Sequence, residues 1–445
     1  MPKWILYSLL LLSFGAYILI GYHIERGNFI QLISVYTGLF LASYILIKHR
    51  KHVDPDLLLS VSVIFRFCLL FSIPALSDDF YRFIWDGRIQ QLNFNPFDHT
   101  PRQVLTRSSD AFLHQLFPLL NSPDYFSVYP QLCQSIFRIA AWIGQDNLLI
   151  NVIVLKSMIL LSEISTIILL RKLLNIEERD KTLVLIYALN PLVIIELSGN
   201  IHFEAFMISF FLLTIWLIKK NKTNYSAVSL SLAIQAKLLP LITLPLMVRE
   251  LGWRKAIWYG VLCLAITILI SLSTINSFER ISNISESLNL YYGKFEFNAG
   301  VYTLFRSIGW WILGYNPINT VTKILFLLSI AGMIWIYLKK TDLLSGFFWL
   351  LTIYLAFSAI VHPWYLCPLI ALSPFVRYRF ALLWSALIPL SYIAYSTLPY
   401  SENTFLIAVE YILVAGFLIR EHLKNKDLLK DRFTLHRNPE ELRNN

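Results

Sequence analysis

The chain has 445 residues, of which 56% are hydrophobic and only 15% are charged. A soluble domain is usually about 45–50% apolar and about 25% charged, so this composition excludes an ordinary soluble protein and predicts a polytopic membrane protein. The net charge of +10 reflects basic cytoplasmic loops in such a protein and gives no support to nucleic-acid binding. The four cysteines form no CxxC pair, so we predict free thiols and no metal site.

Apolar runs of about 17–25 residues can cross a bilayer, and their number here predicts an all-α, polytopic fold of about 12 transmembrane helices. They lie at about 3–21, 29–47, 57–75, 148–170, 181–198, 203–219, 256–273, 322–338, 343–361, 363–376, 380–397 and 404–420. The first run lacks a small-residue cleavage site, and we interpret it as an uncleaved span.

Short connections rich in Lys and Arg predict which side of the membrane is cytoplasmic. These connections lie at 48–51, 171–172, 219–222, 249–255, 339–340 and 376–379. The segment 226–248 lies between two of them, and Pro240 near its middle can break a helix. We therefore predict that this segment enters and returns as a re-entrant helical hairpin, which places both termini in the cytoplasm.

The predicted organisation is a single transmembrane domain over 1–420 and a polar cytoplasmic tail over 421–445. Two long loops, 76–147 and 274–321, then fall on the external side. Both mix aromatic and charged residues, a pattern typical of helices that lie in the membrane interface.

The stretch 77–101, SDDFYRFIWDGRIQQLNFNPFDHTP, directly follows an apolar run. Its acids Asp78 and Asp79 stand where a span should leave the lipid. Partial desolvation makes such a carboxylate more basic, so both are candidate general bases. Alternatively they cap the following short helix, and if only one is catalytic the other is the cap. Arg82 has the helical spacing to pair with either acid, or it contacts a phosphate or substrate.

Other polar residues fall at the external ends of separate predicted spans or in the external loops, and we predict that they line one external site. They are Asp86, Arg88, His202, Glu204, Glu296, His362 and Tyr365. For His202 and Glu204 the alternative is an ordinary loop at the membrane surface, and for His362 it is a satisfied polar residue. Lys237 lies in the middle of the predicted hairpin, where an unpaired lysine is costly, so a lipid-linked phosphate is its predicted partner. The alternative for Lys237 is a lysine that snorkels to water.

Three ionisable residues lie inside predicted spans, namely Arg66, Lys156 and Glu163. Such residues are functional candidates by default. We interpret Arg66 and Glu163 as a structural ion pair and leave all three out of the predicted site.

Several of these segments carry a family resemblance. The chain resembles the GT-C membrane glycosyltransferases, in particular the bacterial mannosyltransferases that use polyprenyl-phosphate-mannose. A more distant similarity is to the eukaryotic enzyme that adds the first mannose of the GPI anchor. The resemblance rests on Asp78-Asp79, YRFIWDGR and NPF after them, YPQLCQ, QAKLLPLITLPL and HPWYLCPL, over about 75–375.

The resemblance implies a hexose donor, by expectation mannose, carried on a polyprenyl phosphate, and an acidic residue of the first external loop as the base. Asp78 or Asp79 would deprotonate an acceptor hydroxyl during inverting displacement. Arg82, Lys237 and His362 are the candidate cations for the leaving phosphate. No cofactor or essential metal is expected. The other expected partners are a glycan or glycolipid acceptor and the lipid bilayer, with the site facing the periplasm of a bacterial inner membrane.

Two other classes of protein fit the same pattern. A lipid-linked sugar flippase also has many spans, broken helices and charges within the membrane. A non-catalytic membrane subunit that binds glycolipids would tolerate loss of both acids. The clustering of acids at one face, rather than along a path, favours an enzyme.

Overall fold

The computed structural model describes residues 1–339, 341–397 and 399–435, and the side chains of these residues outside 290–294 and 426–435. The described chain is helical and contains no strand; one isolated bridge pairs Phe297 with Ile360. The α-helices, numbered in chain order, are α1 Lys3–Tyr22, α2 Phe29–Lys48, α3 Pro55–Phe67, α4 Asp79–Gln91, α5 Pro101–Leu105, α6 Ala111–Leu116, α7 Gln131–Gly144, α8 Leu148–Ile176, α9 Leu185–Ala188, α10 Pro191–Val193, α11 Glu204–Lys219, α12 Thr223–Ala236, α13 Met247–Leu251, α14 Trp253–Ser271, α15 Phe278–Lys294, α16 Gly300–Leu313, α17 Ile318–Leu338, α18 Leu343–Ala356, α19 Cys367–Leu372, α20 Phe380–Leu387 and α21 Thr404–Leu435.

Several helices are long and apolar enough to cross a membrane. In the described residues five meet this standard by length and composition, namely α1, α2, α8, α14 and α17, and a sixth is the bent pair Lys181–Ala188 and Pro191–Gly199. The all-helical membrane fold is therefore confirmed, whereas the number of about 12 spans stays a prediction. Two of the other predicted spans, α18 and the segment Phe380–Tyr395, are shorter apolar helices.

Local chemistry explains where predicted spans are broken. The predicted span 57–75 is helical only to Phe67, because Lys156 Nζ donates to the Leu69 carbonyl at 2.8 Å and to Ser72 Oγ at 2.8 Å. The bent pair turns by 53° at Asn190-Pro191, where the Asn190 side chain accepts the backbone N–H of Leu192 and starts the second half.

The segment predicted as a re-entrant hairpin is broken in its middle. Helix α12 ends at Ala236, Lys237 is extended, and a 3₁₀ helix runs from Leu239 to Leu246. Lys237 meets Glu204 at the start of α11, while Glu250 in α13 lies near Lys219 at the end of α11. The chain thus runs to one end of the bundle and back, and its placement in a bilayer stays a prediction.

Both long loops are helical. The first contains α4 to α7 and the second contains α15 and α16. Helix α4 packs closely on α7, since a Cβ at Gly87 would lie 2.2 Å from the Phe137 carbonyl oxygen. Their position in the membrane interface and the domain boundary at 420 stay predictions. Helix α21 continues past 420 to Leu435, and the rest of the predicted tail, 436–445, lies outside the described residues.

The predicted ion pair inside the bundle is confirmed. Arg66 Nε donates to Glu163 Oε2 at 2.9 Å, and both side chains are buried. Tyr187 Oη also donates to Glu163, and Arg66 donates to the Ala188 carbonyl. These contacts join α3, α8 and α9 in the core.

Candidate active site

The two adjacent acids stand at the start of α4. Asp78 is the residue before the helix, but its side chain makes no capping hydrogen bond, and the Asp79 N–H donates instead to Ser77 Oγ at 3.3 Å. The Asp78 side chain therefore does not cap α4 through a hydrogen bond, in contrast to the alternative in which one of the two acids is the helix cap. Both carboxylates are only partly exposed.

Asp78 has a cationic partner. Arg26, in the connection between α1 and α2, donates to Asp78 Oδ2 at 2.7 Å, and its guanidinium lies 4.1 Å from the centre of the Tyr395 ring. Asp78 is therefore engaged by a cation in the structure itself.

Asp79 has a different environment. Asn121 Nδ2 donates to Asp79 Oδ1 at 2.8 Å, and burial raises the pKa of the Asp79 carboxyl above its ordinary value. The Asn121 hydrogen bond opposes this shift, the charges of Asp78 and Glu204 add to it, and that of Lys237 opposes it. Asp79 therefore lies within electrostatic reach of Glu204 and Lys237, and its raised pKa suits a general base.

Lys237 pairs with Glu204 at the site. The Lys237 ammonium forms an ion pair with Glu204 and lies 3.8 Å from the centre of the Tyr365 ring. The Lys237 side chain keeps 29% of its surface exposed, whereas that of Glu204 keeps 5%. The structure thus brings together Asp79, Glu204, Lys237 and Tyr365, as the sequence predicted for one shared site.

Two imidazoles enclose an indole beside this group. The His202 and His362 rings stack on Trp364, with centroid distances of 3.7 and 4.3 Å. Burial lowers the pKa of His362 to about 3 and that of His202 well below its usual value, and the Lys237 charge adds to both shifts. Both shifts favour the neutral imidazole and so do not favour His362 as a source of positive charge, and its role at the leaving phosphate stays a prediction. In the described structure His202 Nε2 and His362 Nδ1 are buried without a hydrogen-bond partner.

Glu296 lies beside the stack through its neighbour Phe297. The Phe297 N–H donates to the Ala359 carbonyl at 3.1 Å, the Val361 N–H donates to the Phe297 carbonyl at 2.8 Å, and the Phe297 ring lies 4.5 Å from that of His362. The Glu296 carboxylate is paired with Arg306 at 2.5 Å. The second external loop therefore forms a wall of the site.

Three residues of the predicted site are engaged elsewhere. Arg82 could pair with Asp78 or Asp79 by spacing, but its Nε donates to Asp86 at 2.7 Å and its Nη1 to the Ser122 and Tyr125 carbonyls. Because this guanidinium is buried and bound to Asp86, Ser122 and Tyr125, it holds the loop after α6 in place.

Asp86 and Arg88 have similar structural contacts. Asp86 is fully buried, and its Oδ2 accepts from Ser127 and Gln134 at 2.6 and 3.0 Å. Arg88 pairs with Asp110 and Asp146 at 2.6 and 2.7 Å. These contacts fasten α4 to the rest of the first loop.

Sequence reasoning missed several residues of the site. Trp364 stands between His362 and Tyr365 in HPWY, and these two predicted site residues could have indicated that Trp364 also belongs to the site. Arg26 is the lone Lys or Arg in the first external connection, and its position there could have indicated a functional role as well as the side of the membrane. The sequence around Asn121 and around Tyr395 contains no motif that points to the site. Each of these residues comes to the site only when the chain folds.

A π-helical segment lies beside the histidine stack. The π-helical segment Ile194–Gly199 carries Glu196, which accepts from Tyr392 Oη at 2.7 Å and from Tyr36 Oη at 3.1 Å. Its second oxygen lies 3.7 Å from His202 Nε2. π-Helical turns are rare and often stand at functional sites, and this one was not predicted.

No three His, Cys, Asp or Glu side chains gather at a metal-binding distance within the described part of the chain. The expectation that transfer needs no metal stays a prediction. The side chains that are present can deprotonate a hydroxyl at Asp79, receive an anion at Lys237, and offer neutral hydrogen bonds at His202 and His362.

The fold and the site define a helical membrane protein with an acid–lysine–histidine site at one end of its bundle. Residues 14–252 match the family described as alpha-(1->6)-mannopyranosyltransferase, N-terminal domain, the MptA_B family. The match covers more than half of the chain, which therefore belongs to this family and is a glycosyltransferase of the mannosyltransferase class. The predicted resemblance is thus confirmed. No curated protein and no solved structure matches the chain.

Proposed function

We propose that this protein transfers mannose from a polyprenyl-phosphate-linked donor to a lipid- or glycan-type acceptor at the external face of the membrane. The observation that carries the proposal is a carboxyl group whose pKa is raised by burial, Asp79, within electrostatic reach of the ammonium of Lys237, which is paired with Glu204. The acid suits a hydroxyl nucleophile, and the lysine suits a phosphate leaving group.

In the proposed reaction, Asp79 removes the proton of the acceptor hydroxyl while that oxygen attacks the anomeric carbon of the sugar. The new glycosidic bond forms as the bond to the phosphate oxygen breaks on the opposite face, so the configuration inverts. A β-linked donor then gives an α-linked product, in agreement with the linkage in the family's description. The polyprenyl phosphate leaves with the electron pair of the broken bond.

Lys237 receives the negative charge that develops on the leaving phosphate. Before the donor binds, Glu204 holds this ammonium, and the two charges neutralise each other. A phosphate competes with Glu204 for Lys237, and the freed Glu204 charge then makes Asp79 a stronger base. Donor binding thus prepares the base for the acceptor.

His202, His362 and Tyr365 flank this group and supply contacts to the sugar. Neutral imidazoles donate and accept hydrogen bonds, which matches hydroxyl groups better than a phosphate. Arg82, Asp86 and Arg88 hold the first loop in shape and make no contact with substrate in this proposal.

The external placement rests on the direction of α11. This helix begins at Glu204 in the site and ends at Lys219, about 24 Å away at 1.5 Å per residue. The basic connection 219–222 lies at that far end, and basic connections mark the cytoplasmic side. The site then faces outward, as in a bacterial inner membrane protein with cytoplasmic termini.

Donor class is tested in proteoliposomes that contain the purified full chain and a crude glycolipid acceptor fraction. We expect label to pass to the acceptor from polyprenyl-phosphate-[³H]mannose and not from a nucleotide-linked mannose. Transfer from the nucleotide donor in the absence of polyprenyl phosphate would contradict the proposal. Bound polyprenyl donor that is never transferred would favour a flippase or a glycolipid-binding subunit.

A further inference from the structure

Glu196 is a buried acid beside the candidate site, and the proposed transfer assigns it no role. It lies in the π-helical segment Ile194–Gly199 and is fully buried. Its Oε1 accepts from the Tyr392 hydroxyl at 2.7 Å and from the Tyr36 hydroxyl at 3.1 Å, whereas its Oε2 lies 3.7 Å from His202 Nε2. One oxygen is thus held by two hydroxyl donors, and the other lies next to a residue of the site.

A third hydrogen bond to Glu196 also comes from a donor. Asn200 Nδ2 donates to Glu196 Oε2 at 3.5 Å and to the Ile195 carbonyl at 3.1 Å. The orientation of the Asn200 amide is fixed, because its Oδ1 accepts from the Leu76 N–H at 3.1 Å. Burial alone disfavours the charged form of an acid, and hydrogen bonds from donors offset that cost. We therefore interpret Glu196 as an acceptor towards each of its neighbours.

Two uncommon backbone features lie on either side of this contact. The π-helical turn that carries Glu196 is the first, and such turns are frequent at functional sites. The second is Ile201, directly before His202, which is fully buried and has a φ of 61°, a left-handed conformation that is strained for a β-branched residue. Strain of this kind persists where the surrounding structure enforces it, and it clusters at ligand sites. The fold therefore holds Glu196 and His202 against each other at a backbone cost.

The His202 ring can present either of its two nitrogens as the hydrogen-bond donor. Burial and the Lys237 charge lower the pKa of His202 well below its usual value, which favours the neutral ring. A neutral imidazole carries its single N–H on one nitrogen and a lone pair on the other. In the described structure neither nitrogen of His202 makes a hydrogen bond, and Nε2 alone of the two is completely buried. A partner for Nε2 therefore decides what Nδ1 offers to a ligand.

We propose that Glu196 is a positioning residue that accepts the Nε2 proton of His202, so that Nδ1 accepts a hydrogen bond from a hydroxyl group of the donor sugar. The separation of 3.7 Å is longer than a hydrogen bond, and contacts of this kind in active sites often shorten when the substrate binds. A carboxylate on one nitrogen fixes both the tautomer and the orientation of an imidazole. An acceptor nitrogen binds a hydroxyl group and repels an anionic oxygen, so His202 contacts the sugar while Lys237 receives the phosphate. The sugar contact rests on the proposed function, whereas the tautomer does not.

The tautomer is tested by solid-state NMR of the full chain in proteoliposomes, labelled with ¹³C and ¹⁵N at histidine. The ring shifts distinguish an Nε2–H from an Nδ1–H imidazole, and comparison with His202→Phe, which can still stack on Trp364, assigns the His202 signals. We expect the Nε2–H tautomer in wild type. In Glu196→Gln the two tyrosines retain the side-chain oxygen and the new NH₂ group faces Nε2, so His202 should change to the Nδ1–H tautomer.

Tyr36→Phe is the matched control, because Tyr392 still donates to the same Glu196 oxygen and the oxygen near His202 is unchanged. Its His202 tautomer should match that of wild type. An Nδ1–H ring in wild type, or the same tautomer in wild type and Glu196→Gln, would overturn the proposal. The wild-type spectrum decides the question by itself if Glu196→Gln fails to fold.

The sugar contact is tested by the binding of polyprenyl-phosphate-mannose analogues in which fluorine replaces one hydroxyl group at a time. Fluorine cannot donate a hydrogen bond, so one analogue should bind wild type about 3–10-fold more weakly than the parent compound. In Glu196→Gln this difference should disappear, because an Nδ1–H can donate to fluorine or to a hydroxyl group. Equal ratios in the two proteins would overturn the contact, since a merely structural Glu196 affects every analogue alike. Wild-type protein that does not bind the parent compound would overturn the proposed function and with it the sugar contact, whereas the NMR result still decides the tautomer.

Discussion

Arg26 binds the Asp78 carboxylate, whereas Asp79 receives a single neutral hydrogen bond from Asn121. An ion pair favours the charged form of an acid, and burial disfavours it. Asp78 is held by a cation, whereas burial raises the pKa of the Asp79 carboxyl, and this difference favours Asp79 as the base in the proposed reaction. Spacing in the sequence left this choice open, because Arg26 is distant in the chain.

The pH dependence of transfer should report the environment of Asp79. Burial raises its pKa above the ordinary value of about 3.9, so kcat/KM should fall as the pH is lowered through this raised pKa. Asp78→Asn removes a nearby negative charge and frees Arg26, so the acid limb should move to lower pH. The measurement is the pH profile of kcat/KM for both proteins. An acid limb that stays in place would argue against Asp79 as the titrating base.

Loss of the Glu204 charge should separate donor binding from catalysis. Glu204→Gln leaves Lys237 available to phosphate, so we expect a several-fold lower KM for the donor. The kcat should fall because Asp79 loses a neighbouring negative charge that raises its basicity.

Lys237→Met should raise the donor KM about 10–100-fold, the range expected for loss of a charge-assisted hydrogen bond.

The matched control for these variants is Glu177→Gln, which breaks the 3.0 Å pair with Lys219 at the other end of α11. Its donor KM and kcat should equal those of wild type. A Glu204→Gln variant with unchanged kinetic constants would show that the ion pair at the site is only structural.

Helix α4 depends on one buried acid. Asp86 is bound by Arg82, Ser127 and Gln134, and it joins α4 to the loop after α6 and to α7. This network explains why Arg82 and Asp86, which follow the two adjacent acids, serve the fold.

Asp86→Ala should therefore lower stability strongly, since breaking a buried ion pair by removing one partner costs about 3–5 kcal/mol. Asp124→Ala, which breaks an exposed pair with Arg102 in the same loop, should change Tm little. Thermal unfolding in detergent measures both. Equal Tm values for the two variants would contradict a structural role for Asp86.

Hydrophobic runs in the sequence predicted the positions of helices well where contacts with distant residues do not determine where the helix begins or ends. Helices α1, α2 and α8 begin at or within a residue of their predicted positions, because length and apolar content decide them. Helix α3 ends early because Lys156 binds the Leu69 carbonyl, a contact that sequence spacing does not report. The partner of Arg82 was equally open, because Asp78, Asp79 and Asp86 all have helical spacing to it.

At the scale of the whole molecule, the candidate site joins residues from distant parts of the chain. The sequence singled out Asp79, Glu204, Lys237, His362 and Tyr365 because each is a polar residue in an apolar or interfacial setting. It could not supply Asn121 or Tyr395 as site residues, because each of them reaches the site through packing alone. The same packing moved Arg82, Asp86 and Arg88 out of the site.

The topology makes its own prediction about labelling. The segment from α12 through α13 runs away from Lys219 and returns to it, so both flanking connections should face the same side. Lys222→Cys and Arg254→Cys should react with an impermeant thiol reagent from the cytoplasmic side of vesicles. Asp146→Cys, between α7 and α8, should react from the opposite side. Labelling of the first two from opposite sides would contradict the re-entrant arrangement.

The measurement that tests the central claim most directly is mannose transfer from labelled polyprenyl-phosphate-mannose by Asp79→Asn and Asp78→Asn in proteoliposomes. Each variant is compared with wild type at equal amounts of folded protein. We expect Asp79→Asn to lose about 10²–10⁴-fold in kcat, the usual contribution of a general base, and Asp78→Asn to retain most of its activity near neutral pH. Full transfer by Asp79→Asn would contradict the assignment of Asp79 as the base.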